Sequence, residues 1–200
     1  MSKPYEIIMS PFEIWLAPVG ESFPDPDTTP SGNWAKLGTN GKRNQGEDGI
    51  TVTHNQTVDE HRNVGATGPI KAKRSEESLT IEMVLEDLTM AEYAKVLNDA
   101  TVTTVSPGAS QIGTKEIQLR QGNDVSTFAL LCRGASPYGD GWNMQYQVPV
   151  VYQAENPAPN FTKSGAAGLA CSFAALEDPD AATDSERFGK VIAQNADATG

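Results

Sequence analysis

The sequence predicts a mainly β chain: a β-sandwich or barrel with one packed α-helix and a long extended β-hairpin. Three observations carry this expectation. At least seven segments alternate apolar and polar side chains with the two-residue period of a strand. Turn signals rich in Gly, Pro, Asn and Asp separate them. Only the stretch Asp87–Asn98 combines the helical period with a start signal.

Taken in order, residues 1–11 read as a flexible N-terminal arm. A short strand follows, with Phe12, Ile14 and Leu16 on one face. Residues 20–33, GESFPDPDTTPSGN, form a loop, and WAKLG is a short buried segment. The hairpin covers about residues 49–88. Its first strand puts Ile50, Val52 and Val58 on one face and Thr51, Thr53, Asn55, Thr57 and Asp59 on the other. Its second strand points Leu79, Ile81, Met83 and Leu85 one way and Ser78, Thr80, Glu82 and Glu86, with Val84 among them, the other. Each arm of about 14 residues spans about 45 Å, against about five or six residues for an ordinary strand. The outer portions carry almost no apolar face, so a neighbouring subunit must cover them or they stay mobile.

Between the arms, HRNVGATGPIKAKRS supplies five basic residues if His61 is counted, and its glycines are expected to provide positive φ at the turn. Thr89 is the expected N-cap and Glu92 completes a capping box. Met90, Tyr93, Ala94 and Leu97 form the buried stripe of a helix at about 90–98. Residues 116–121 and 125–133 read as a hairpin closed by GND. Residues 142–153 read as a strand with Trp142, Met144, Tyr146, Val148, Val150 and Tyr152 on one face, and Pro149 marking an edge or a bulge. Residues 168–176 close the set. The tail is expected to hold one short helix near SERFGKVIAQ, capped by Asp184, before a fraying end. The domain division is an arm at 1–11, a β domain at 12–177 and a C-terminal arm at 178–200.

The formal net charge of −11 argues against a chain that clings to nucleic acid, which is usually basic. The two cysteines, Cys132 and Cys171, sit in apolar runs and read as buried free thiols. No stretch is long and apolar enough for a membrane helix, and the first residues lack the pattern of a secretory signal.

The search for chemistry finds little. His54 and His61 lie seven apart on a strand and face opposite sides, which disfavours a metal pair. There is no phosphate-loop or dinucleotide fingerprint, and DPDAATDSE lacks the glycine and closing glutamate of a calcium loop. Glu76 and Glu77 are adjacent and point apart. No catalytic residue, cofactor or metal ligand is assigned.

The hairpin and its sequel, TVDEHRNVGATGPIKAKRSEESLTIEMVLEDLTMAEYAKVLN, resemble the central region of major tail tube proteins of long-tailed, non-contractile bacteriophages. The likeness lies in Val58-Asp59-Glu60, the Gly65–Pro69 tip, the charged Lys71–Glu77, the alternating Leu79–Leu85 and the Asp87-Leu88-Thr89 helix start. YQVPVVYQ and CSFAALEDP are similar to closing strands of that family, and the resemblance covers about residues 34–180.

The resemblance implies a non-enzymatic virion protein. It implies self-association into stacked hexameric rings, with strands joining an inter-subunit β-barrel whose lumen conducts double-stranded DNA without specific binding. Initiator, tape measure and terminator proteins would be its other partners, the virion tail its location, and the host cytoplasm its site of assembly. Thr51, Thr53, Asp59, Thr80, Glu82 and Glu86 would then face the lumen. The tip residues Arg62, Gly65, Gly68, Pro69, Lys71, Lys73 and Arg74 would meet an acidic surface of a neighbour, the alternative being a solvated charged loop. The tube of a contractile tail, a type VI-like system or a gene transfer agent shares this architecture. From another class, a carbohydrate-binding β-sandwich would need an exposed aromatic row, for which Trp142, Tyr146 and Tyr152 are the candidates. A hydrolase on a β-scaffold is disfavoured by the scarcity of histidine.

Overall fold

The computed structural model describes residues 6–39, 41–163 and 165–196. Residues 1–5 of the expected N-terminal arm and 197–200 of the expected fraying end, 195–200, fall outside the described residues.

The chain is mainly β, with one α-helix and one large antiparallel sheet. Its strands are β1 (Glu13–Ala17), β2 (Ala35–Lys36), β3 (Gln45–His61), β4 (Lys71–Leu85), β7 (Thr127–Ala135), β8 (Asn143–Gln153), β9 (Leu169–Ala175) and β10 (Lys190–Ala193). The order is β2-β1-β7-β8-β9-β4-β3, with β10 added to β8. The sheet does not close among the described residues: β2 and β3 remain its two ends. β5 (Val102–Val105) and β6 (Thr114–Ile117) form a separate ribbon, and α1 spans Met90–Val96.

One face of the sheet carries the main core. Ile14 and Leu16 of β1, Leu79, Ile81, Met83 and Leu85 of β4, Leu130 and Cys132 of β7, and Leu169, Cys171 and Phe173 of β9 are all buried there, with Val96 of α1. The alternation of β1 and β4 thus delivers the faces their sequences predict. On the opposite face of β1 and β7, Ala17, Ala129 and Leu131 form a second cluster with Trp34, against which Phe23 packs.

That second layer is the 20–33 loop, fastened by polar contacts. Gln145, fully buried, donates from Nε2 to Pro24 O (2.7 Å) and accepts from Arg133 Nε (2.8 Å). Arg133 Nη1 and Nη2 donate to Thr28 O and Asp25 O, and Asn143 Nδ2 to Pro26 O. The polar face of β8 therefore meets a carbonyl-rich loop instead of solvent, which satisfies its buried donors.

Pro149 sits at a bulge: Leu130 pairs with Val148 and Phe128 with Val151, leaving two residues of β8 opposite one of β7. The extra residue inverts the alternation, so Val148 and Val151 both reach the main core. The continuous apolar face expected through Tyr152 is therefore broken at this point. Pro149, which has no amide to donate, also separates the part of β8 bonded to β10 from the part bonded to β9.

Four further expectations are corrected. Residues 116–133 are not a hairpin: β6 pairs with β5, a strand that its exposed, weakly apolar sequence did not reveal. The segment near SERFGKVIAQ is not an α-helix but a 3-10 turn at Asp184–Glu186 followed by β10, and the residue preceding the turn is Thr183. The helix ends at Val96, and Met90 is exposed while Glu92 is buried. Finally, neither Gly65 nor Gly68 has positive φ, and added Cβ atoms would meet nothing within 4 Å, so the tip turns without left-handed residues.

Candidate assembly surface on the extended hairpin

β3 and β4 pair from Gln45–Leu85 out to His61–Lys71. Inside this ladder, Thr80–Leu85 is also bonded to β9, so the inner half of β4 is a central strand. From Gln56 to the tip, and back along Lys71–Ser78, every described residue is exposed except Ala66. The reason is compositional: this half has Gln, Thr, Glu, Lys and Ser on both faces, with Val58, Val64 and Ile70 as its only large apolar side chains, all exposed.

At the tip, Ile70 N donates to His61 O (2.9 Å) and Ala66 N to Asn63 O (3.0 Å), so Arg62–Pro69, with Gly65 and Gly68, is a bonded turn at the end of the ladder. Arg62 is paired with Glu60 (2.8 Å), and Arg74 with Glu77 (3.2 Å) and with Gln56 through Nε (2.9 Å). Both ion pairs are exposed and contribute little to stability. They do neutralise the two arginines locally, which leaves Lys71 and Lys73 without an ion-pair partner among the described residues.

A bulge divides the hairpin. Thr57 pairs with Glu76 but Val58 with Arg74, so Ser75 is extra. Beyond it the alternation of β4 inverts. Lys73 lies opposite Asp59, on the face of Thr51 and Thr53, and Arg74 lies opposite Val58, on the face that becomes the core further in.

Four of the residues expected to line a lumen are brought together: Thr51 opposite Glu82 and Thr53 opposite Thr80, on the face away from the main core. Asp59 shares that face farther out. Glu82 is half-buried, and its Oε1 accepts from Ser172 Oγ of β9 (3.4 Å). Glu86 lies one residue past β4, exposed, its amide donating to Asn44 O.

The root of the hairpin is held by two carboxylates, Asp87 and Glu92, which the sequence placed at the helix start without their partners in the Gly38-Thr39 turn. Asp87 accepts from the amide and the hydroxyl of Thr39 and from Thr89 N. Burial pushes its carboxyl pKa up, but these hydrogen bonds and Lys95 outweigh it, leaving the pKa below its ordinary value. Glu92 N donates to the Thr89 cap, as the capping box requires, yet the Glu92 carboxylate turns away to accept from Gly38 N (2.9 Å) and Lys95 (3.0 Å). Gly38 has φ +90° and a Cβ there would crowd Leu85, so this turn needs glycine. The short spacing Gly38-Thr39 ahead of the strand was the available signal, unreadable without its partners 48 residues away or more.

Cys132 and Cys171 are buried free thiols, and burial pushes both up to about 12. Among the described residues no group of three His, Cys, Asp or Glu is placed to hold a metal ion. His54 faces the core side of β3 and His61 hydrogen-bonds Asn63. Trp142, Tyr146 and Tyr152 are half-buried, and Tyr146 packs edge-on against Phe12, so they offer no flat exposed aromatic row. No described helix is long and apolar enough to cross a membrane. No family model matches the chain, and no curated protein matches its sequence.

Proposed function

We propose that this chain is a structural, non-catalytic subunit of a phage-type tail tube, assembling as stacked hexameric rings through which DNA passes. One observation carries the reading: a hairpin of 17 and 15 residues whose outer half is exposed on both faces. A two-stranded ribbon without a core is marginal alone, and its length gains a purpose when a neighbouring subunit covers it. The sheet's open ends at β2 and β3 fit the same reading, because closing a sheet across copies removes its edges.

In this arrangement Thr51, Thr53, Thr80 and Glu82 supply a polar to acidic lining that lets DNA slide, since lysine and arginine contacts to phosphate would retain it. The tip lysines, Lys71 and Lys73, are left to meet carboxylates of a neighbour. Negative-stain microscopy of the purified full chain tests the reading. Rings or tubes are the expected result, together with a folded but ring-free variant when 65–73 is replaced by a Gly/Ser segment. Monodisperse particles at every concentration would overturn it.

A further inference from the structure

β9 and β10 lie on the same side of β8, β9 bonded to Val151–Gln153 and β10 to Met144–Gln147. β9 also bonds Thr80–Leu85 of β4 but reaches no farther out. Lys71–Leu79 of β4 therefore has β3 on one edge and no strand on the other, and β10 is bonded to β8 alone. Two unpaired strand edges border a gap in the lane that β9 vacates. A cavity of about 390 Å³ fills it, walled by Arg74, Lys190 and Val191 and floored by Leu79, Tyr146 and Val148. The floor is apolar because Leu79 and Val148 belong to the main core, whose cover ends here.

Free edges beside an apolar floor are the features that accept an added strand. The occupant must be extended, unpaired, and apolar at alternate positions. Residues 7–9 of the segment EIIMS are unpaired and outside any strand or turn, with Ile7 and Met9 at alternate positions, and Glu6, at φ +52°, extends on docking. Ile7 and Met9 are 62% and 93% exposed, lie outside any strand, and fall on one face of an extended chain. Glu6 brings a carboxylate to a rim that carries Lys190, Arg74 there being already paired with Glu77.

The segment is held away from the groove of its own subunit. Lys42 Nζ donates to Ser10 Oγ (3.0 Å) and Gln45 Nε2 to Phe12 O (3.0 Å), at the level of the Gln45–Leu85 pair. The groove begins at the His54–Leu79 pair, six residues along β4 from Leu85, or about 20 Å. Ile7 to Ser10 spans about 10 Å when fully extended.

We propose that the gap between β4 and β10 is a strand-acceptor groove, filled by residues 6–10 of a second copy of this chain. Ile7 and Met9 of the incoming segment cover Leu79, Tyr146 and Val148, and its backbone bonds to the free edges. The inference goes beyond the tube reading, since it holds for a dimer, a ring or a filament.

Cross-linking tests it. Met9→Cys and Val191→Cys single variants, one isotopically labelled, are mixed and mildly oxidised. The native thiols, 0% and 1% exposed, do not compete. The expected product is a mixed disulfide of two chains, formed in preference to the product of Met9→Cys with Ile112→Cys, a control site 81% exposed. An intramolecular disulfide in the Met9→Cys/Val191→Cys chain would show the segment filling its own groove and overturn the second copy. In parallel, Ile7→Asp/Met9→Asp is expected to weaken self-association by at least about tenfold in sedimentation, because two carboxylates resist burial. Its urea midpoint should not move. No preferred cross-link, or unchanged association, overturns the proposal. Unimpaired tubes of the double-Asp variant would overturn it and leave the tube reading intact, whereas the mixed disulfide without tubes would overturn the tube reading alone.

Discussion

Replacing Arg133 with methionine isolates how the 20–33 loop is held. Arg133 is 7% exposed, and its guanidinium donates to Gln145 Oε1, Thr28 O and Asp25 O at 2.8, 2.6 and 2.9 Å. Methionine keeps much of the aliphatic stem and removes all three bonds. A hydrogen bond to a charged group contributes about 1.5–3 kcal/mol, so the gross loss is about 4.5–9 kcal/mol. Burial of the cation costs several kcal/mol in the native protein and is relieved by the change. The fully buried Gln145 Oε1, left without a donor, adds about 1–3 kcal/mol of loss. The expected net destabilisation is about 3 kcal/mol, a large part of the roughly 5–15 kcal/mol of a typical domain. Urea unfolding measures it, with an unchanged m value showing that the exposed surface is the same. Adding Gln145→Leu should recover little, because it removes the orphaned Oε1 but also the Nε2 bond to Pro24 O. A loss below about 1 kcal/mol for Arg133→Met, with loop proteolysis unchanged, would refute the clamp.

Asp87→Asn should lower stability by about 2 kcal/mol at neutral pH, since a carboxylate accepting several bonds becomes a neutral amide. The native pKa is depressed, so the carboxylate's contribution is present above the ordinary value of 3.8 and lost as pH falls through the lower native value. The variant's melting temperature should therefore change less than wild type's across acidic pH, and parallel curves would count against the assignment. Cys132 and Cys171 should resist a thiol reagent at pH 8 until urea unfolds the chain. Because both thiols are held near 12 against an ordinary 9.0, stability should fall as pH rises past 9; rapid native labelling would contradict their burial. Under the tube reading, Glu82→Lys/Glu86→Lys should leave tails intact and slow DNA ejection, with the defect easing as salt rises. Absent tails would instead assign these glutamates to a subunit contact.

Local signals explain what could be read in the sequence. The Leu79–Leu85 alternation needs no partner to be recognised, and the Thr89–Glu92 cap lies within four residues. Strand partners are not local. β6 could have joined β7 across GND, but Lys115 and Glu116 are exposed and match the short β5 instead. The partners of the polar face of β8 were not legible because they belong to a loop some 120 residues earlier. At the hairpin, exposure and charge were legible from composition. The Ser75 bulge was not, because a single unpaired residue leaves no trace in a polar segment, and it alone decides which face carries Lys73.

The branching of the sheet at Pro149 has a mechanical consequence. Tension on the hairpin runs from β4 through six residue pairs with β9, then three pairs between β9 and β8. β10 is outside that series, tied to β8 by four pairs of its own. A pull on the C-terminus would peel β10 away from Met144 toward Gln147 and slacken at Gly189, without loading the strands that anchor the hairpin. The two ends of β8 thus tether different strands, β10 at one and β9 at the other, and share load only along β8 itself and through β7, which pairs with both halves.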